Sequence, residues 1–214
     1  MSVLFEHSGS IVAGFVMTLE LLVVSAAAAT FAGVALCILR IAASPALRRF
    51  GATYVALTRN TPPLLIFVAV CYGLPQLGVS LSFFARAVVA LSIYTSAFVC
   101  EVLRSGVQAV SVGQVEAARS IGMTSSQALR TVILPCAFRN VLGPLASVYI
   151  ALLKNTALAE VFGVAEGTFQ MDSLIRDNPN ELFPIFVGVA AGYVLIAYSM
   201  SFTARTVEHR MAVA

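Results

Sequence analysis

Five stretches of this chain are long and apolar enough to cross a lipid bilayer as helices. Such a helix needs about 20 mostly apolar residues. The stretches lie at about 12–39, 53–73, 83–103, 138–160 and 182–204. Hydrophobic residues make up 59% of the 214 residues and charged residues only 11%, so a soluble domain of this size could not bury its apolar surface. The sequence predicts an all-α membrane protein with five transmembrane helices in one domain (1–214). It excludes a soluble enzyme, a nucleic-acid binder and a disordered tail.

The first apolar stretch differs from a cleavable signal peptide. Glu6 and His7 precede it where a signal peptide has basic residues, and the stretch is too long. We therefore expect it to remain as a span.

The arginines predict which side of the membrane each loop occupies. With the N-terminus outside, Arg86 and Arg176 lie on the outer side and Lys154 lies within span four. The other arginines then lie on the inner side: Arg40, Arg48, Arg49, Arg59, Arg104, Arg119, Arg130, Arg139, Arg205 and Arg210. Because basic residues concentrate in cytoplasmic loops, this distribution predicts an N-out, C-in orientation.

The loop between spans three and four, about 105–137, has helix signals of its own, and we call it the inner loop. Ser-x-x-Gln at 111–114 and Thr-x-x-Gln at 124–127 both match a capping box. Gly122 lies between them, where a glycine can end a helix. The pattern predicts a short helix near 112–120 that turns at Gly122.

Two further expectations concern the loops. A second helix of the inner loop should begin at about 125 and break at Pro135 before span four, because proline lacks an N–H group. The outer loop, about 163–181, carries scattered apolar residues. These residues predict either a short amphipathic helix that contacts a delivery protein or a lid over the bundle.

No residue pattern predicts catalysis or metal binding. The histidines lie near the two ends of the chain, so a serine nucleophile within the membrane would have no histidine base. The cysteines fall within apolar runs without metal-ligand spacing, which indicates small core residues: Cys37, Cys71, Cys100 and Cys136.

The inner loop contains a motif of defined spacing. Glu116-Ala117-Ala118 is followed after three residues by Gly122, and after nine more by Val132-Ile133-Leu134-Pro135. This pattern resembles the EAA loop of ABC importer permeases, which lies between two spans on the cytosolic side. The resemblance implies an element that couples the spans to a cytosolic ATPase. The residues expected to form it are Gln114, Glu116, Ala117, Ala118, Gly122 and Met123.

The resemblance extends over about residues 10–205 and is closest to the polar amino-acid permeases. It rests on the segments 58–62, 72–75, 101–106 and 153–156. The chain departs from the family pattern at Asn60, Ala157 and Cys136, and it looks most like glutamate-type permeases.

The resemblance implies a non-catalytic permease subunit in the bacterial plasma membrane. Its expected partners are a dimeric ATPase that binds ATP and Mg, a second permease chain, an extracytoplasmic binding protein and membrane lipid. We expect no cofactor in this chain and no nucleic acid. A heterodimer of permeases is favoured and a homodimer is possible. Glutamate, aspartate or glutamine is the expected substrate. The residues agree with a separate ATPase, because Lys154 is the only lysine and follows Leu153 rather than the glycine of a P-loop.

Six polar residues are candidates for the substrate path: Arg59, Thr61, Glu101, Lys154, Asn155 and Thr156. A charge within a span should face protein or water, so Lys154 either lines the path or pairs with Glu160 or a partner subunit. Glu101 has a simpler explanation as an i,i+3 ion pair with Arg104. Arg59 either shapes an inner gate or anchors its helix, and Asn155 and Thr156 could be ordinary interhelical contacts.

A stand-alone secondary transporter or channel is the alternative function. Five spans are few for such a protein, and the inverted repeat that many of them contain is not evident.

Overall fold

The computed structural model describes residues 2–213, and every regular element within that range is a helix. The α-helices are α1 (Ser2–Glu6), α2 (Ser8–Ile41), α3 (Pro45–Arg59), α4 (Pro63–Gln76), α5 (Phe83–Gln108), α6 (Val112–Ser120), α7 (Ser125–Ala128), α8 (Leu134–Asn155), α9 (Gly167–Asp177) and α10 (Leu182–Val213). A π-turn at Leu129–Ile133 joins α7 to α8, and 3₁₀ turns lie at Thr156–Phe162 and Pro179–Glu181. The predicted domain limits, residues 1 and 214, lie outside the described residues.

Four helical segments are long and apolar enough to cross a membrane, and a fifth crossing is possible through a bent pair of helices. Spans one, three and five are confirmed as α2, α5 and α10. The predicted starts of α5 and α10 match the structure. Both helices continue past their predicted ends, because the polar residues that follow the apolar runs extend the helices.

The second span is not one helix over 53–73, so this prediction is wrong. α3 ends at Arg59, α4 begins at Pro63, and the two helices meet at an angle of 105°. Pro62 and Pro63 explain the bend. Each lacks an N–H group, and each disfavours the helical conformation in the residue before it. Pro63 then suits the first turn of α4, where its missing N–H has no helical partner to lose.

The break expected at Pro135 is also wrong. The helix continues from Ser125 to Asn155 through the π-turn, in which the Leu134 N–H donates to the Leu129 carbonyl. A π-turn widens the helix by one residue. We attribute the uninterrupted path through Pro135 to this widening just before the proline. The helical path that leads into α8 therefore begins at Ser125, within the predicted inner loop.

The core of the bundle lies around α5. α2 packs along α5, and Gly33 lets it approach so closely that a Cβ atom there would collide with Val99. α4 and α8 add Phe67 and Leu152 to the same buried cluster as Leu91 of α5. This packing covers most of α5. Along part of their length, however, α5 and α8 leave a gap between them.

Candidate functional site

A continuous groove runs between α5 and α8. It consists of two adjoining cavities of about 340 and 350 Å³ that share Phe98 and Val148. We call it the central groove. The stretch of α8 from Asn140 to Lys154 that lines it is about 20 Å long at 1.5 Å per residue. A groove of this length along the spans could guide a small polar molecule across much of the bilayer.

Charged side chains mark the first end of the central groove. Arg59 and Glu101 both line it, with 3.9 Å between the Arg59 Nη1 and the Glu101 Oε2. The Arg59 guanidinium also lies over the ring of Phe98, 5.6 Å from its centre. Arg59 therefore connects the charged end of the groove to the neck formed by Phe98 and Val148.

Glu101 is held by arginines from three helices. Arg104 of α5 and Arg40 of α2 both donate hydrogen bonds to its carboxylate, and Arg59 of α3 lies farther away. The predicted pair between Glu101 and Arg104 is confirmed. Sequence reasoning missed Arg40, although the predicted orientation placed it on the same side of the membrane as Glu101.

Lys154 and Asn155 line the other end of the central groove, beside Tyr94 and Thr95. The Lys154 side chain is exposed. Within the described residues no ion pair joins it to Glu160, so this explanation of the lysine is wrong. A cation exposed in the middle of a span requires a polar partner outside this chain or a water-filled path.

Two of the six path candidates lie away from the central groove. The hydroxyl of Thr156 is fully buried and donates to the Leu153 carbonyl at 2.7 Å. The hydroxyl of Thr61 donates to the Leu57 carbonyl at 2.8 Å. Both threonines satisfy helix carbonyls, and neither lines the two cavities.

The inner loop folds into a compact helical knob, as predicted. α6 occupies 112–120, with the Ser111 hydroxyl accepting from the Gln114 N–H. Gly122 has a φ of +85° and ends α6: its N–H donates to the Arg119 carbonyl, and the next N–H, of Met123, donates to the Ala118 carbonyl. This is a Schellman motif, which needs a left-handed residue at the glycine position.

The predicted capping box at Thr124 is confirmed with both of its hydrogen bonds, whereas at Ser111 the described contacts contain only the hydroxyl half. The Thr124 hydroxyl accepts from the Gln127 N–H, and the Gln127 side chain accepts from the Thr124 N–H at 2.9 Å. Together, the two caps fix the angle between α6 and the long helix that begins at Ser125.

The predicted coupling residues divide between the surface and the interior of the knob. Ala118 is buried, Met123 is half-buried, and the other four are exposed. Two large apolar residues that were not predicted, Val112 and Ile121, are 70% and 75% exposed. Val112 begins α6 and Ile121 directly follows its last residue, so both side chains are accessible to a docking protein.

The outer loop contains a helix, α9, which a buried carboxylate holds in place. Glu166 is 0% exposed and accepts hydrogen bonds from the backbone N–H groups of Thr168 and Phe169 at the start of α9. Its other oxygen accepts from the hydroxyls of Thr18 in α2 and Tyr193 in α10. Sequence reasoning did not identify Glu166 as a functional or structural site. The available sign was that Thr18 and Tyr193 place hydroxyl groups within apolar spans, where each hydroxyl needs a polar partner.

Comparisons with known proteins agree on a single family. The family described as "Binding-protein-dependent transport system inner membrane component" matches residues 29–213. A probable glutamine ABC transporter permease protein of Bacillus subtilis is 37% identical over 98% of this chain and 97% of its own length. A glutamate transport system permease protein of Corynebacterium efficiens is also 37% identical, over 100% of this chain and 99% of its own length.

Solved structures share the fold. A crystal structure of an amino acid ABC transporter with histidines contains a chain that superposes with a TM-score of 0.90. It is 32% identical and covers 97% of this chain and 96% of its own length. The MetNI methionine ABC transporter in an inward-facing conformation superposes with a TM-score of 0.74 at 20% identity, over 96% of this chain and 98% of its own. The second likeness concerns the fold alone.

Proposed function

Because the chain belongs to the family of binding-protein-dependent transport system inner membrane components, we propose that its central groove is half of the path by which an ATP-driven importer moves a polar amino acid. The chain is a multi-pass permease subunit of the bacterial inner membrane. The proposal names the cargo, the path and the coupling element of that subunit.

The central groove is the observation that carries the proposal. It lies open on one side of the bundle, and both of its ends carry charged groups: Arg59 with Glu101, and Lys154. A second permease chain that packs against this side would close it into a channel. The charged residues would then face the channel rather than lipid, which removes the cost of placing them within the membrane.

The cargo we favour is glutamate, aspartate or glutamine. The relatives at 37% identity are named for glutamine and glutamate. Lys154 agrees with an anionic group, because a cation in a low-dielectric groove attracts a carboxylate strongly. Every amino acid has an α-carboxylate, so this lysine supports the class of substrate more than the particular member.

The helical knob is the coupling element of the proposal. In the N-out orientation α6 lies in the cytosol, where Glu116, Val112 and Ile121 are exposed to a docking protein. We assign that role to a dimeric ATPase, which binds ATP and Mg and carries out the hydrolysis. This chain then needs no cofactor and catalyses no reaction itself.

The other partners follow from the same arrangement. A binding protein would deliver the amino acid on the side of α9, and a second permease chain would cover the central groove. We favour a heterodimer of permeases, as glutamate-type systems are expected to have. A transport-competent complex that contains this chain as its only permease would contradict the heterodimer.

Uptake by the complex purified from native membranes tests the proposed function. Reconstituted vesicles should take up labelled glutamate or glutamine only while ATP is hydrolysed, and excess glutamate, aspartate or glutamine should compete. Competition by arginine or histidine but not by these three would overturn the substrate. Uptake that follows an ion gradient without ATP would instead support a secondary transporter.

Labelling at the two ends of the chain tests the orientation. A cysteine at position 7 should react with a membrane-impermeant reagent from outside, and a cysteine at position 209 only from inside. Reaction of both positions from one side would contradict the N-out, C-in arrangement.

A further inference from the structure

A separate cavity lies between α2, α3 and α5, near the Arg40 end of α2. It encloses about 270 Å³ and is lined by Arg40, Arg48, Arg104 and Gln108 among apolar residues that include Ile41. We call it the arginine cavity. Glu101, which lines the central groove, pairs with two of these arginines. The two sites are therefore neighbours with different linings.

Arg104 has a donor in this region that no described residue satisfies. Its Nη1 donates to the Gln108 Oε1 at 2.6 Å and its Nη2 donates to Glu101. Its Nε is buried and has no hydrogen-bond partner. An unsatisfied buried donor is unfavourable and uncommon, but this Nε is enclosed by protein, so Arg104 contributes its charge rather than a free donor to the cavity.

Arg48 keeps donors for another acceptor. It uses its Nη1 to bind the carbonyls of Ala42 and Ala43, at 2.9 and 2.8 Å, and makes no other hydrogen bond with the described residues. Arg40 uses its Nη1 to bind Glu101 and also interacts with the Cys100 thiol. The cavity therefore offers the free N–H groups of Arg48 to an acceptor.

The charge balance indicates that this acceptor is an anion. Three arginines line the arginine cavity, and Glu101 is the carboxylate that pairs with two of them, Arg40 and Arg104. One carboxylate neutralises one of the three positive charges, so the site keeps an excess. Guanidinium groups match the oxygens of a phosphate because they can donate two parallel hydrogen bonds.

The surroundings of the cavity favour a phosphate that belongs to a lipid. Ile41, which lines the cavity, is 64% exposed. Apolar side chains beside an arginine cluster at the end of the spans can contact acyl chains while the arginines bind the head group. We propose that the arginine cavity binds the phosphate of an anionic phospholipid from the leaflet at the Arg40 end of the spans.

Lipid retention tests this proposal in the intact complex. The complex is reconstituted in nanodiscs of mixed phosphatidylcholine and phosphatidylglycerol, released into mild detergent, and weighed by native mass spectrometry. Arg48→Gln should lower the retention of phosphatidylglycerol about tenfold, because the variant loses a charge-assisted hydrogen bond to the lipid phosphate. Arg49→Gln is the matched control, because Arg49 is adjacent and exposed but does not line the cavity. The control should retain phosphatidylglycerol as the wild type does.

Two results would overturn the proposal. Equal retention of phosphatidylglycerol by the wild type, Arg48→Gln and Arg49→Gln would show that the cavity does not select an anionic lipid. To distinguish a lipid phosphate from a free anion, inorganic phosphate is titrated into the delipidated complex. Saturable phosphate binding that Arg48→Gln abolishes, without any preference for phosphatidylglycerol, would assign the cavity to a free anion instead.

Discussion

Glu166 gives the sharpest test of how the outer helix is held on the bundle. Its carboxylate caps α9 through Thr168 and Phe169 at 2.8 and 3.0 Å, and it also accepts hydrogen bonds from Thr18 and Tyr193. One buried side chain thus joins α9 to α2 and α10. Glu166→Ala removes the acceptor for all four donors at once.

The expected loss is about 3 kcal/mol of unfolding free energy. Loss of the N-cap accounts for about 1 kcal/mol. The hydroxyls of Thr18 and Tyr193 keep other partners, at Gly14 and Thr168. Losing their bonds to a carboxylate therefore adds about 2 kcal/mol rather than the full penalty for orphaned donors. Glu166→Asp should lose about 2 kcal/mol, because a shorter side chain can still cap α9 but cannot reach the two hydroxyls.

Thermal unfolding of the purified complex in detergent, followed with a thiol-reactive dye, measures this effect. Three of the cysteines, Cys37, Cys71 and Cys100, are buried and report the opening of the bundle. Asp172→Ala is the control, because Asp172 lies on α9 in an exposed pair with Arg176. A loss below about 1 kcal/mol for Glu166→Ala, or equal losses for both variants, would refute this account of the carboxylate.

Three further substitutions test the coupling knob, the groove and the arginine cluster. Gly122→Val should leave the chain inserted but lower substrate-stimulated ATP hydrolysis, since a β-branched residue resists a φ of +85°. Gly113→Ala is the control, because Gly113 lies on the same knob with free space around it, and this variant should keep normal ATP hydrolysis. Lys154→Met should cut uptake about tenfold while assembly persists, as expected for a lost charge-assisted contact. Unchanged uptake would show that the lysine does not lie on the path. Arg176→Met is the control. Glu101→Gln should destabilise the complex by about 2 kcal/mol, because the arginines around it lose their carboxylate; an unchanged unfolding midpoint would contradict this.

The helices that the sequence predicted well are those with local signals. Ser111, Gly122 and the Thr124 box each act within a few residues of the chain, so the knob could be placed from the sequence alone. The start of α5 at Phe83 also has a local signal, because Ser82 caps the helix and an apolar run follows it. Caps and hydrophobic runs depend little on the rest of the fold.

The errors came from proline, whose effect depends on its surroundings. The sequence placed Pro62 and Pro63 within a single span, but two prolines in succession bend the chain by 105°. Pro135 was expected to break a helix, but it follows a π-turn and the helix continues. The sequence alone does not reveal a π-turn, because that turn forms through hydrogen bonds shifted by one residue.

The groove could be predicted only in part. Arg59, Glu101, Lys154 and Asn155 were identified from their polarity within or next to apolar spans, and the structure brings all four to the central groove. The three-arginine contact of Glu101 and the buried position of Glu166 depend on helices that are distant in sequence. Such contacts follow from packing, which no local pattern encodes.

The central claim, that a polar amino acid passes through the groove between α5 and α8, is tested most directly by substrate protection. In a chain whose four native cysteines are replaced, single cysteines are introduced at Val148 in the groove and at Ser80 in the exposed loop between α4 and α5. A small polar thiol reagent is then applied to the reconstituted complex with and without saturating glutamate or glutamine. The account predicts that substrate slows labelling at position 148 and leaves labelling at position 80 unchanged. Active uptake with equal labelling of position 148 in the presence and absence of substrate would place the path elsewhere.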